Sequence, residues 1–201
     1  MKPLTVTIAS IVEGHGEVSA LPKLLYRLAA DLPMVNLRTP KQPWRCPRGS
    51  LIAPNGIERE VESNSWVGRA GGILVVLDAD DDCPAELAPA LLNRARSVRP
   101  DLRVSVVLAN REYEAWFLAA AQSLAGRFHF PADMKIPDNP EGIRDAKGWL
   151  SRHRPNSHPY KETADQAALT SAIDLKQARE HSPSFDKFCR ELEELLTPPV
   201  P

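Results

Sequence analysis

The stretch GGILVVLDADDD, residues 71–82, decides the fold. Gly71 and Gly72 release an apolar run, Ile73 to Leu77, that has no polar alternation and stops on Asp78. A strand with one wet face alternates; one that does not is covered on both faces, as strands of parallel sheets are. Working outward, LTVTIASIV at residues 4–12 has the same character and runs into Glu13. LRVSVVLA at residues 102–109 leads into NREYEAWFLAA, which carries Glu112 and Glu114. Three strands thus deliver carboxylates at their carboxyl ends.

Helical patterns fill the gaps between them. Leu21, Leu24, Leu25 and Leu28 recur at helical spacing, predicting a helix from Glu17 to Ala30 that Pro33 closes. Val35 to Thr39 reads as a short strand, Pro40 to Arg48 as a loop, and residues 57–67 as a helix. Pro84 suits a first helical turn, and Leu87, Leu91 and Leu92 carry a helix to Val98, before Pro100. Trp116, Phe117 and Ala120 give a further helix its buried stripe, so Trp116 reads as core. This alternation predicts an α/β fold: a mostly parallel, Rossmann-like central sheet flanked by helices, with right-handed crossovers and a site beyond the carboxyl ends of its strands. All three acidic groups then meet on one edge.

Past residue 125, Pro131, Pro137, Pro140, Pro155 and Pro159 break the chain into short helices, with longer helical patterns at 162–180 and 184–196. A length of 201 residues with 43% hydrophobic content suits one domain over residues 1–201: a core from 4 to 125 and an irregular helical extension from 126 to 196. The stripe of Phe185, Phe188, Leu192 and Leu195 is expected to close the core rather than dock a partner. The net charge of −1 and a pI near 6.5 exclude a generally basic nucleic-acid coat, so a polyanion would be met through local patches or bound cations. Cys46, Cys83 and Cys189 are odd in number and form no CxxC pair, which argues against a disulfide framework or structural zinc and fits a reducing cytoplasm. The start lacks a signal-peptide pattern and no apolar run approaches the ~20 residues of a membrane span, so a cytoplasmic chain without membrane association is expected.

Asp78 and Asp80 are two apart, so in an extended backbone their side chains point the same way, and Asp81 and Asp82 crowd the same turn. Like charges this close need water or a hard cation such as Mg²⁺, which takes oxygen ligands. A solvated acidic turn at a helix N-terminus accounts for DADDD equally well. Glu13 favours the cation, because it independently ends another buried strand, and Gly14 and Gly16 allow the turn that returns Glu17 to it. A dinucleotide phosphate loop is disfavoured: GHG lacks the third glycine, and Glu13 and Glu17 would repel a pyrophosphate. His15 is either a proton shuttle or an idle loop histidine. Lys41, Arg45 and Arg48, with Arg111, Arg152 and Arg154, could line a phosphate track or be solvated, and Trp44 among them could stack on a base.

With Glu13 in VEGHGE and Asp78 with Asp80 in VVLDADDD, the chain resembles the Toprim family, in which a glutamate after the first strand and a DxD after a later one bind Mg²⁺. Within it, the chain resembles a bacterial group of small stand-alone Toprim proteins of unassigned function, related to the nuclease half of the OLD (overcoming lysogenisation defect) proteins. There a second acid follows the first glutamate by four residues, as Glu17 does. A polar-x-Glu element matches Glu112-Tyr113-Glu114, and a downstream lysine matches Lys161 in HPYKETAD. The resemblance covers residues 4–165 and implies a Toprim-like fold and phosphodiester cleavage of DNA or RNA with one or two Mg²⁺ or Mn²⁺ ions. It assigns Glu13, Asp78 and Asp80 to one metal, Glu17 and Glu114 to a second, Glu112 as either a metal ligand or a partner of one, and Lys161 to the transition-state charge; Asp82, in the same turn as Asp80, is expected to be a further metal ligand.

No tyrosine-nucleophile or ATPase domain is expected within these 201 residues, so topoisomerase action is not expected. The resemblance implies a nuclease that works with a separate ATPase subunit in phage defence; a homodimer is a further expected arrangement. Two other functions stand beside it: a metal-dependent phosphoesterase for small molecules, and an inactive Toprim-shaped regulatory or interaction module.

Overall fold

The central sheet is built of parallel strands, and the first strand of the chain lies inside it rather than at an edge. The computed structural model describes residues 3–68 and 71–197, and the ends of the expected 1–201 domain lie outside them. In chain order the strands and α-helices are β1 (Leu4–Val12), α1 (His15–Ala29), β2 (Val35–Arg38), β3 (Trp44–Arg45), α2 (Arg48–Ile52), α3 (Gly56–Gly68), β4 (Gly71–Asp78), α4 (Pro84–Val98), β5 (Val104–Ala109), α5 (Ala115–Ala119), α6 (Ala146–Arg152), α7 (Glu162–Ala172), α8 (Leu175–His181) and α9 (Pro183–Leu196). Every pairing is parallel. The architecture is the expected α/β one, a parallel Rossmann-like sheet flanked by helices.

Alternate residues of a strand go to opposite faces, and burial follows that parity. Val6, Ile8, Val12, Leu74, Val76 and Val107 share one core with α1, α5 and the C-terminal helices. Ala9, Ile11, Ile73, Val75, Val106 and Leu108 share the other with Leu51, Ile57, Val61, Ala88 and Leu91 of α2, α3 and α4. The segment past residue 125 therefore covers one face of the sheet, with Leu150, Leu169, Phe185, Phe188, Leu192 and Leu195 buried in that core. The stripe of α9 closes the core as expected.

Two expectations need correction. The Pro40–Arg48 segment is not all loop. Trp44 and Arg45 pair with Ile11 and Val12, covering the end of β1 that the shorter β2 leaves open; a two-residue strand has no periodicity to read. The helix after β5 ends at Ala119, so Ala120 lies past it, and it has no stripe: residues 115–121 are buried all round, between the sheet and the C-terminal helices. Trp116 is core, with Phe185 and Phe188 both 5.2 Å away and its Nε1–H donating to Ser184 Oγ at 2.8 Å.

The strands stack in the order β2-β1-β4-β5, so β2 lies on one side of β1 and β4 on the other. The chain's crossovers thus diverge at β1, which makes the carboxyl ends of β1 and β4 the topological switch point, where open α/β sheets put their ligands. No helix among the described residues is long and apolar enough to cross a membrane. Cys46 and Cys189 are buried, Cys83 is exposed, and all three are free.

Candidate active site at the carboxyl edge of the sheet

Glu13 and Asp78 stand at the carboxyl ends of those two strands. Glu13 Oε2 accepts the Asp78 N–H at 3.2 Å, joining the ends of β1 and β4. Asp78 shares the parity of Leu74 and Val76, so its side chain turns toward α1, and its Oδ1 accepts the Tyr113 N–H at 2.8 Å. Glu17, in the first turn of α1, and Glu114, just before α5, are buried on the same side. Glu114 Oε1 accepts from Tyr160 Oη at 2.8 Å and from Gln166 Nε2 at 3.2 Å. Both donors fall on one oxygen, leaving Glu114 Oε2 buried without a hydrogen-bond partner, as is Glu17 Oε2.

Helix α7 closes the cluster from above. Glu162 Oε1 accepts the Gly16 N–H at 3.2 Å, and Lys147 Nζ lies 3.1 Å from Glu162 Oε2 and 3.8 Å from Glu114 Oε2. Gly16 is required by this approach: a Cβ there would collide with Gln166 Oε1 and come within 2.7 Å of Glu162 Cγ.

The electrostatics follow from burial. Desolvation pushes the Glu114 carboxyl up to about 7, against the opposing pull of Lys147. Asp78 is held well above the ordinary carboxylate range by burial and then by the charges of Glu114, Glu17 and Glu13. Burial likewise raises Glu13, Glu17 and Glu112. Burial opposes the charge of Lys147, but Glu114 and Glu162 outweigh it and raise its pKa; Glu162 is correspondingly lowered, the Lys147 contacts outweighing burial. These carboxylates are charged at a cost, and the protein supplies one ammonium against it.

Of the residues expected at the site, Glu13, Glu17, Asp78 and Glu114 are brought together. Glu112 is half-buried at the margin, its Oε2 accepting the Lys147 N–H at 3.2 Å. The extended backbone expected for Asp80 is corrected: its φ is 51°, and the turn exposes its side chain beside Arg48, 3.5 Å away. Its charge still reaches Glu13. Asp82 is exposed and paired with Arg48.

The expected phosphate residues are largely engaged within the protein. Arg48 also donates to the Asp78 and Ala79 carbonyls. Arg111 binds the Asp80 carbonyl and Asp81, Arg152 binds Asp145 at 3.0 Å, and Arg154 is buried against Asp165 at 2.9 Å. Arg45 reaches the Glu13 carbonyl at 3.4 Å, and Lys41 is exposed. Trp44 is exposed, with Nε1–H donating to Glu60. His15 is exposed at the start of α1.

Lys161 caps α7 with an exposed side chain and no ion pair among the described residues; the ammonium inside the cluster is that of Lys147. Lys147, Tyr160, Glu162 and Gln166 escaped the sequence reading. Glu162 and Gln166, four apart, announce a shared helix face; Lys147 and Tyr160 sit in proline-broken sequence without a pattern.

The donor set is chemically suited to a hard divalent cation: all oxygen, anionic, with two buried oxygens lacking hydrogen-bond partners. Among the described residues, no three Asp, Glu, His or Cys side chains are already gathered as a ligand set. Fold and site together define a parallel α/β domain with a buried acidic cluster at its topological switch point. The chain belongs to the family described as Domain of unknown function (DUF4276), whose model matches residues 12–193 and so spans every acid of the cluster. No similar curated protein and no similar solved structure was found.

Proposed function

We propose that this chain is a Mg²⁺- or Mn²⁺-dependent phosphodiesterase that cleaves DNA or RNA. The observation that carries this reading is the convergence of Glu13, Glu17, Asp78 and Glu114 from three strand ends, with Glu17 Oε2 and Glu114 Oε2 buried and unpartnered. The resemblance to the Toprim nuclease half of OLD proteins points to the same chemistry. Glu13 and Asp78 would hold one ion and Glu17 with Glu114 a second; Asp80, now beside Arg48, would be a further ligand of the first. Such ions supply an activated water and neutralise the charge developing on the phosphoryl and leaving oxygens.

The chain's own groups prepare the rest. The Tyr113 N–H fixes Asp78, and Tyr160 and Gln166 fix Glu114 through a single oxygen. Lys161, exposed at the start of α7 beside Glu162, is the flexible ammonium that meets the substrate phosphate. By the same resemblance, the working assembly includes a separate ATPase subunit and acts in phage defence.

A specific observation favours a second reading, an inactive interaction module: Lys147 and Arg48 already pair with acids along this edge. The test is to titrate Mg²⁺ and Mn²⁺ calorimetrically into wild type and Asp78→Asn, then incubate both with labelled DNA, labelled RNA and a small phosphodiester. Metal-dependent cleavage that Asp78→Asn abolishes supports the nuclease, and cleavage of the small ester alone supports the phosphoesterase. Neither binding nor cleavage at millimolar metal leaves the module.

A further inference from the structure

The cluster contains its own cation. Among the described residues, Lys147 makes the only ion pairs that reach Glu114 or Glu162, and its charge acts also on Glu13, Glu17, Asp78 and Glu112. The two contacts differ in kind. At 3.1 Å from Glu162 the ammonium is within hydrogen-bonding distance, whereas at 3.8 Å from Glu114 Oε2 it lends charge while leaving that buried oxygen without a hydrogen bond. Lys147 is also the partner most able to leave: its side chain is 39% exposed, on a flexible stem, whereas Glu114 is fully buried.

A divalent ion brings twice the charge and oxygen contacts at about 2.0–2.6 Å. It cannot share this space with an ammonium without strong repulsion. We propose that Lys147 is the built-in counter-ion of the site: it holds Glu114 and Glu162 together at low divalent-cation concentration, and Mg²⁺ or Mn²⁺ binds by taking over its contacts and displacing Nζ toward solvent. Lys147 therefore sets the cation concentration at which the site fills, a role distinct from that of Lys161. The inference rests on the cation part of the proposed function and not on its nuclease chemistry.

The test uses the full chain, treated with chelator and titrated with Mn²⁺ alone by calorimetry, as wild type, Lys147→Met and Lys147→Arg. Lys147→Met keeps the stem and removes the charge. It should bind Mn²⁺ at least about tenfold more tightly, and its thermal midpoint, lowered without metal, should recover on adding Mn²⁺. Lys147→Arg should bind like wild type.

A second measurement on the wild type stands even if Lys147→Met fails to fold: amine acetylation at Lys147, read by peptide mass spectrometry, should quicken severalfold when Mn²⁺ is added. If wild type binds Mn²⁺ but Lys147→Met binds no more tightly and the acetylation rate is unchanged, the counter-ion role is overturned and the metal-dependent function stands. If neither folded protein binds Mn²⁺ at millimolar concentration, both fall together.

Discussion

The two acidic groups at the carboxyl edge, the DADDD turn and the cluster around Glu114, differ less in charge than in access to water. Asp80, Asp81 and Asp82 expose 59%, 70% and 53% of their side chains, and each has an arginine partner, Arg48 or Arg111. Glu17, Asp78 and Glu114 are buried and have one lysine between them. Exposed acids are screened by water and salt, so crowding them is cheap. Buried acids repel at low effective dielectric and must take up protons, keep an internal counter-ion or bind a cation. The longest acidic run is therefore the less reactive of the two.

Mutation breaks this comparison from the buried side first. Asp78→Asn is expected to lower metal-dependent cleavage by more than the roughly 100-fold that losing a partner of a metal ligand costs, while Asp81→Asn leaves it nearly unchanged; initial rates on the labelled substrate check both. Glu114→Gln tests the electrostatics through stability without metal. The Glu114 carboxyl is raised from 4.5 to about 7 in the folded chain. The folded state thus binds its proton more tightly than the unfolded state, and the stability this proton gives is complete below pH 4.5 and is lost as pH rises to 7. The loss is at most on the order of 3 kcal/mol. Urea denaturation in chelator should show Glu114→Gln with a shallower decline across that window, and more stable than wild type at pH 8. Equal slopes would show that Lys147 fully compensates Glu114.

Much of this was legible in the sequence, for a physical reason. Apolar runs without alternation have one ordinary destination, a strand covered on both faces, so β1, β4 and β5 and the acids that end them could be read directly. The helix at Pro84–Val98 was legible because its prolines and leucines state both start and period. Asp80 was misread because parity extends only as far as the strand does, and a positive φ two residues past Asp78 ends it. Lys147 on α6 and Tyr160 in the loop before α7 were hidden because they owe their positions to how the C-terminal segment packs against α5 and the residues before it, which no local pattern encodes. A trace of α7 lies on the other side of its contact with α1: Gly16 is bare because Glu162 and Gln166 press against it.

That contact sharpens the comparison at a smaller scale. Gly16→Ala would ordinarily favour a helix by up to ~1 kcal/mol. Here the new methyl meets Gln166 and Glu162, and overpacking costs about 1–3 kcal/mol. A net loss in the denaturation midpoint is expected, along with weaker Mn²⁺ binding as α7 lifts its side chains from the cluster. A gain in stability would show that α7 yields freely.

The smallest effect belongs to the exposed turn. Asp81 Oδ1 meets Arg111 at 2.7 Å and Arg144 at 2.9 Å, yet both Asp81 and Arg144 are 70% exposed. Water competes for each of these contacts, and holding the Arg144 side chain in place costs entropy, so short distances here do not imply large energies. Asp81→Asn should change stability by no more than about 0.5 kcal/mol, and the difference should vanish in ~1 M salt, where screening acts within about 3 Å. A larger, salt-resistant loss on chemical denaturation would mean that the DADDD turn is held by its arginines as firmly as the buried cluster is held by Lys147, and the contrast between the two acidic groups would no longer stand.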